Sequence, residues 1–565
     1  MIIKDGVAGA PATTGAREPA EHGAAAPRPW VWLGTFAAMA TFLLLRSRFL
    51  FTTRLYESAD PAANSILVVQ AEHFTLLHGN YSREQFFHPG PAYLYLMAAG
   101  QWLLHDLTHL VPTAWNGQLI ALLLLNSALM ATVAWIAGGW ARTAWAAVAA
   151  AAVILGWAAA LSFGVPAPLN PEILASTWMP DVYVPTFLAF LVVSSSVAAG
   201  RTEHLWLLAV TGWLLIHGHV EFLFFVPVTV VAAAAGALWP ARRAPWAAVR
   251  RFLRQRRRQW VPAAAVSAVF ALPIAADLAL HWPGEFGKYV SYARSARAGH
   301  HSVSQAAGYL LWYWVPGPSW LGLLVLVGFV GAALAVAVVV PFPAAAAGLR
   351  RFLLAALGII AVTTAAMLYY AMRGVDDLSS HYIGFFYWSV PPLALLVVVT
   401  GLTAALPGRL VTRMVLAGAA LLAVGAAAAA PGLSADVHDS EPALAPAMAA
   451  LAARAPGRLI VLDVAPATSF DADGLVIQAE RSGARICLTG PYFWVFAATS
   501  QFICGPRQEA TGVTYQLHQR PYTAPPGVPV IARLRYSVLT ALRHSVPTAL
   551  RHSVLTAQGR RRSGG

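Results

Sequence analysis

Charge is what this sequence has least of. Only 11% of its 565 residues are Asp, Glu, Lys or Arg, where a soluble chain carries about a quarter. A string of soluble domains, which the length alone would allow, is therefore excluded. Lysine is almost missing, with Lys4 and Lys288 set against a basic complement otherwise made of arginine. Cysteine is scarce as well. Cys487 and Cys504 are too few for a disulfide scaffold and lack metal-site spacing. They are expected to form one bridge if their region faces an oxidising compartment. Residues 1–29 have neither an apolar core nor a cleavage pattern, so they read as a disordered, Ala/Pro/Gly-rich cytoplasmic tail rather than a leader. No Ser/His or Cys/His arrangement of the kind used by nucleophilic hydrolases is present.

What the chain does have is apolar length. Hydrophobic residues make up 58% of it and the mean hydropathy is +0.60. Spans of about 20 mostly apolar residues fall at 30–49, 117–137, 143–163, 179–199, 203–217, 220–239, 259–281, 319–341, 352–372, 384–405 and 411–431, with 203–217 the shortest. The apolar stretch 91–111 reads as an interfacial or re-entrant segment, because charge decides the topology. With the N-terminus inside and that stretch not crossing, every inside loop carries arginine: Arg142, Arg201, the run Arg242 to Arg258, Arg350 with Arg351, and Arg409. The net charge of +14 is thus topological and gives no reason to expect nucleic acid; its largest cluster meets anionic membrane lipids. The fold class expected is an all-α polytopic membrane protein of about eleven transmembrane helices with a small C-terminal extracytoplasmic α/β region. Its parts are the tail 1–29, a membrane domain 30–431 whose first external loop is 50–116, a cap 432–534, and a low-complexity tail 535–565. That tail repeats RYSVLTAL, RHSVPTAL and RHSVLTAQ and is expected to have no fold of its own. In the cap, 458–464 and 485–488 read as strands around a helix near 474–482.

The polar residues that remain gather in the external loops. Glu57 and Asp60 follow the first span, and His73, Tyr81, Arg83, Glu84 and His88 come after them, before Pro89-Gly90-Pro91. A carboxylate at the lipid–water boundary is well placed to deprotonate a hydroxyl while a lipid-linked partner lies in the bilayer. Residue chemistry alone leaves a second reading open, in which Asp60 merely caps a helix beginning at Pro61.

Three stretches carry a resemblance. Asp60-Pro-Ala-Ala-Asn64, Gly79-Asn-Tyr81-Ser-Arg83 and Phe87-His88-Pro89-Gly90-Pro91-Ala-Tyr93-Leu-Tyr95 make this layout similar to the GT-C glycosyltransferase superfamily. The nearer likeness is to its bacterial branch of dolichyl-phosphate-mannose mannosyltransferase-like and aminoarabinose transferase-like proteins; the Arg- and Ala-rich usage suggests an actinobacterial source. The resemblance covers about 30–240 in layout. It implies transfer of a sugar from a polyprenyl-phosphate donor with inversion, to an envelope glycan, lipid or protein acceptor outside the membrane. Asp60 would be the general base and Glu57 its understudy, since the two stand three apart where the family more often has an adjacent Asp-Glu pair. The leaving phosphate needs positive charge or donors, for which Arg83, His88 and Tyr81, or Arg373 and His381 of the 373–383 loop, are the candidates.

A second polar set comprises Glu172 and Asp181 before the 179–199 span, and His217, His219 and Glu221 at an external turn. Asp181 also suits the N-terminal dipole of its own helix. The histidines and Glu221 would take a divalent cation or form a plain interfacial turn; no cofactor is otherwise called for. Two other function classes stand beside the transferase. A flippase for lipid-linked saccharides would show polar residues at mid-membrane in two similar halves, and no internal repeat of that kind is visible. A catalytically inactive scaffold would keep the layout without turnover.

Overall fold

The computed structural model describes residues 29–165, 172–295, 299–346, 348–414, 418, 434–435, 437–490 and 500–541. Among these residues nine helices are long and apolar enough to cross a membrane, the architecture of a multi-pass membrane protein. They are Pro29–Arg46, Ala114–Ala141, Ala144–Leu161, Met179–Ala198, Phe222–Ala241, Arg257–His281, Ser319–Val339, Leu349–Arg373 and His381–Ala405. The stretch expected as a span at 203–217 is the 14-residue helix Leu205–Gly218. At about 1.5 Å per residue it is shorter than the roughly 30 Å hydrocarbon layer. The expected span 411–431 lies outside the described residues apart from its first turn and Gly418, as does the 1–29 tail apart from Pro29.

Met179–Ala198 is the axis of the bundle, with every residue of its apolar window buried. It packs against Ala114–Ala141, Leu205–Gly218, Phe222–Leu238, Leu349–Arg373 and the 3₁₀ stretch His381–Ser389. The helix Arg257–His281 buries none of its window, so its apolar side chains are left for lipid. Thr113 caps the helix Ala114–Ala141, and Asn116 donates to the carbonyls of Leu50 (2.6 Å) and Thr53 (2.8 Å), fixing the turn that leaves the first span. The interfacial candidate 91–111 forms the helix Ala92–Gln101 and a π-helical turn Trp102–Leu107. Gly100 lets it rest backbone-to-backbone on the bundle, since a Cβ there would meet the Gly117 carbonyl at 2.6 Å. Tyr93, Leu94 and Met97 point inward while Trp102, Leu103, Leu107 and Leu110 are exposed.

The C-terminal region is a five-stranded sheet. Its strands are β1 (Ile460–Val464), β2 (Ile486–Thr489), β3 (Val513–Gln519), β4 (Val530–Arg533) and β5 (Ser537–Ala541), in the order β2-β1-β3-β5-β4. β1 runs parallel to β2 and β3, and β5 antiparallel to β3 and β4. Two of these strands and the helix Ser469–Ser482 match the expected α/β region, and Cys487 is disulfide-bonded to Cys504. The expectation that the repeat tail begins unstructured at 535 is corrected at its start. Val538 and Leu539 of the first copy are fully buried in the sheet, and this short apolar and β-branched run pairs with β3 and β4 as a strand. The later copies lie outside the described residues.

Cap and membrane bundle share one element. The helix Ala59–Glu72 contributes Ala62 and Ile66 to the apolar core of the cap, and Leu67, Val68 and Ala71 to that of the bundle. The segment leading into it is laced to the entrance of the cap. Ser58 donates to the Asp439 carbonyl through backbone and hydroxyl, and Glu441 N–H donates to the Tyr56 carbonyl. Glu57 is completely buried and paired with Arg481 of the helix Ser469–Ser482 at 2.6 Å. The two atoms sit off the line of a good hydrogen bond, so the attraction is mainly Coulombic. Removing one partner of such a pair strands a buried charge, at a cost of about 3–5 kcal/mol, whereas removing both often costs little. Arg481→Met should therefore lower the melting temperature of the cap, and Glu57→Met added to it should restore most of the loss. Equal melting of the single variant and the wild type would contradict this account of cap docking.

Candidate functional site

The chain turns sharply just before Asp60. Ser58 is extended, Ala59 takes φ 53°, a left-handed conformation strained for a residue with a Cβ, and Asp60 enters the first turn of Ala59–Glu72. Strain of this kind, on the order of 1–3 kcal/mol, persists where the surroundings over-determine it. Here it puts a carboxylate at a helix N-terminus, where the dipole favours negative charge. Both hydrogen bonds to Asp60 are donated to it. The Tyr81 hydroxyl gives one to Oδ1, and Trp178 Nε1 gives the other to Oδ2 at 2.9 Å. That is the pattern an acceptor-only carboxylate takes. Burial, with the Asp60 charge beside it, pushes the Tyr81 phenol well above its usual range, so it remains a donor.

Tyr81 is delivered by a narrow turn in which Ser82 N–H bonds the Phe86 carbonyl at 2.8 Å and Tyr81 pairs with Phe87. Next to it, Gly79 N–H donates to the His88 carbonyl at 2.8 Å, His88 N–H donates to the Asn80 carbonyl at 2.9 Å, and Gly90 N–H reaches the His217 carbonyl at 3.3 Å. A Cβ on Gly90 would lie 2.4–2.6 Å from the His217 ring. The Pro-Gly-Pro turn is thus a place where loop and bundle backbones touch, and only glycine fits there.

These pieces enclose a cavity of about 730 Å³. The first loop supplies Asp60, Asn64, Tyr81, Arg83 and His88; the bundle supplies Tyr183, Glu221, Tyr370, Arg373 and Phe386; the cap supplies Phe470. Arg83 makes a fork to both oxygens of Asp376 (2.5 and 2.6 Å) and donates to the Tyr382 hydroxyl at 3.1 Å. It therefore clamps the 373–383 loop to the first loop. Arg373 also lines the cavity, and its Nη1 lies 3.0 Å from His300 Nδ1. A buried acceptor in the wall, Asn64 Oδ1, has no hydrogen-bond partner among the described residues.

The remaining candidates separate. Glu57 is not in the cavity wall, being spent on Arg481. His88 is in the wall, and of the two roles open to it, cation or donor, its surroundings favour a neutral donor. Burial, and after it the His219 imidazole with its ring centre 4.0 Å away, holds it well below the ordinary histidine range, and Nδ1 accepts the Val220 N–H at 3.2 Å. A neutral ring then carries its hydrogen on Nε2. His381 lies outside the wall, with Nδ1 on the Ser379 carbonyl and its ring 4.0 Å from that of Trp312. His217 spends both ring nitrogens on backbone, one accepting from Ala92 N–H at 3.2 Å and one meeting the Phe270 carbonyl at 2.8 Å. It therefore joins no metal set with His219 and Glu221, which lie 3.5 Å apart. Among the described residues no three His, Cys, Asp or Glu side chains are placed to hold a metal ion. Asp181 accepts from Glu172 N–H at 3.3 Å, and neither residue is in the wall. Sequence reasoning missed Asp376, whose signal was the adjacent acidic pair Asp376-Asp377, and Trp178 as a partner of Asp60. It also missed Phe470, for which no local signal exists.

No protein-family model matches the sequence, and no curated protein matches it. In structure the chain is similar to two crystal structures of ArnT from Cupriavidus metallidurans. Against the apo state it has a TM-score of 0.54 and 14% identity, covering 91% of this chain and 98% of that one. Against the structure bound to undecaprenyl phosphate the values are 0.53 and 15%, over 92% and 99%. At such identity the likeness speaks for the fold, and it is the GT-C-like fold that the sequence resemblance implied.

The contact at Gly90 gives a direct test of how the cavity is built. His217 cannot swing away, so Gly90→Ala should cost about 1–3 kcal/mol of stability, and His217→Ala in that background should recover part of it. A Gly90→Ala protein that melts like the wild type would contradict the close packing.

Proposed function

We propose that this chain is a membrane glycosyltransferase that moves a sugar from a polyprenyl-phosphate-linked donor to an extracytoplasmic acceptor, with Asp60 as general base. The observation that carries the reading is Asp60 itself, a carboxylate held by Tyr81 and Trp178 in the wall of a cavity bounded by bundle, loop and cap. The similarity to a structure bound to undecaprenyl phosphate supports the donor class. In the reaction the acceptor oxygen attacks the anomeric carbon opposite the phosphate. Its proton passes to Asp60, the bond from that carbon to the phosphate oxygen breaks, and the electron pair leaves with polyprenyl phosphate. Inversion follows from a single displacement.

Arg373 is the better placed cation for the leaving phosphate, because Arg83 already has the Asp376 fork to satisfy; Arg83 and neutral His88 serve as donors beside it. Asn64 Oδ1, unpaired in the wall, suits a sugar hydroxyl, which offsets its desolvation by donating to a buried acceptor. The sidedness proposed is N-terminus inside and cap outside. The Cys487–Cys504 bridge supports it, since disulfides persist in oxidising compartments. The domain division proposed is the membrane unit 30–431 and a cap from 432 that extends through β5 to 541.

With polyprenyl-phosphate sugars as donors, Asp60→Asn should lower transfer by about 10²–10⁴-fold while leaving donor binding in place. Glu57→Gln should act through cap stability alone, with full specific activity per folded molecule. Undiminished transfer by Asp60→Asn would sink the base assignment.

A further inference from the structure

One buried carboxyl of the cap has no place in the reaction as just described. Asp473 sits on the helix Ser469–Ser482, is 3% exposed, and has a buried Oδ1 without a hydrogen-bond partner. Its helix lies directly on the segment that leads into Asp60. A Cβ on Gly474, the next residue, would be 3.2 Å from the Glu57 carbonyl oxygen. One turn before Asp473 on the same helix, Phe470 forms part of the cavity wall shared with Asp60; two turns after it, Arg481 makes the pair with Glu57. The spacing of 470, 473, 477 and 481 is that of one helix face, so the face that docks the cap also carries Asp473 towards Asp60.

The groups around Asp473 are few. Asp60 and Glu57 come from the segment beneath, and Tyr81 from the neighbouring turn. On its own helix are Asp471, held by Ser537 Oγ at 2.6 Å and Tyr536 N–H at 3.0 Å, Glu480, and Arg481. Glu441, before the helix Leu444–Arg454, acts on Asp471. Arg481, the cation on its own helix, is paired with Glu57, and among the described residues no ion pair reaches Asp473. Burial, and after it the charge of Asp60, push its carboxyl well above the usual carboxylate range. Two carboxyls in one poorly hydrated site do not both ionise readily.

We propose that Asp473 is a positioning residue of the transfer site, a neutral acid contributed by the cap that leaves Asp60 as the single negative charge at the base position. This rests on the reading of Asp60 as the base. The consequence is electrostatic. The donor arrives as an anion, and a second carboxylate beside Asp60 would repel its phosphate and bind Asp60's proton more tightly. Asp473 in its neutral form avoids both effects, and the site is complete only when the cap is docked.

The test is the pH profile of transfer by the full-length protein from pH about 6 to about 10, a range wide enough for raised carboxyls, with kcat and KM for a polyprenyl-phosphate sugar measured separately. The wild type should lose kcat/KM at the alkaline end, mostly through a rising donor KM, by up to tenfold per pH unit. Asp473→Asn, which keeps the shape and the neutrality, should retain neutral-pH transfer within about threefold and lose that alkaline decline. An identical alkaline limb in both proteins, no limb in the wild type, or a large loss of neutral-pH transfer in an Asp473→Asn protein of normal melting temperature would each overturn the proposal. Asp60→Asn run in parallel separates the two ideas: if it remains active, the base reading fails, and if it is inactive while the Asp473→Asn profile is unchanged, only the role of Asp473 fails.

Discussion

The buried pair of Glu57 and Arg481 is the contact on which the geometry of this molecule turns. It joins the cap to the three residues that precede Asp60, with the Glu57 carboxylate fully buried. A charge of that kind is costly unless matched, so the cap docks in one register or the pair is lost. The same register presses Gly474 against the Glu57 backbone and sets Phe470 into the cavity. The helix Ala59–Glu72 is then gripped on both sides, by cap core and by bundle core. That double grip is what can hold Ala59 at φ 53° and keep the Asp60 carboxylate turned into the cavity.

From this constraint the division of labour follows. The bundle gives aromatic walls and the axis helix Met179–Ala198; the loop gives Asp60 and its donor Tyr81; the 373–383 loop gives Asp376 to steady Arg83. Each element alone would leave polar groups stranded in an apolar setting. Together they satisfy most of them and leave an unpaired acceptor, Asn64 Oδ1, facing a space large enough for a sugar, as a binding site should.

Much of this was legible in the sequence, for physical reasons that also explain what was not. Nine spans could be read because length and composition are sufficient conditions for crossing a bilayer. Leu205–Gly218, with 14 residues, is apolar but short of that length, which is why it was the shortest of the spans expected. The pairing of Cys487 with Cys504 and the strands near 460 and 486 depend on local pattern and were accessible. Asp60 stood out because it follows a span. The roles of its neighbours did not: burial favours a neutral donor in His88 over a cation, and Glu57, read as the understudy base, is the partner of Arg481. Contacts such as Trp178 with Asp60, or Arg83 with Asp376, join residues far apart in the chain, and no periodicity reports them. The opening copy of the C-terminal repeat was misjudged because repetition suggests low complexity, while the short apolar and β-branched run within the copy makes a strand.

The central claim is that a single carboxylate, Asp60, removes the acceptor proton during one displacement at the anomeric carbon. The stereochemistry of the product tests this most directly. Determining the anomeric configuration of the sugar in donor and product by NMR should show inversion. Retention of configuration would require two displacements and a covalent intermediate, and would contradict the account.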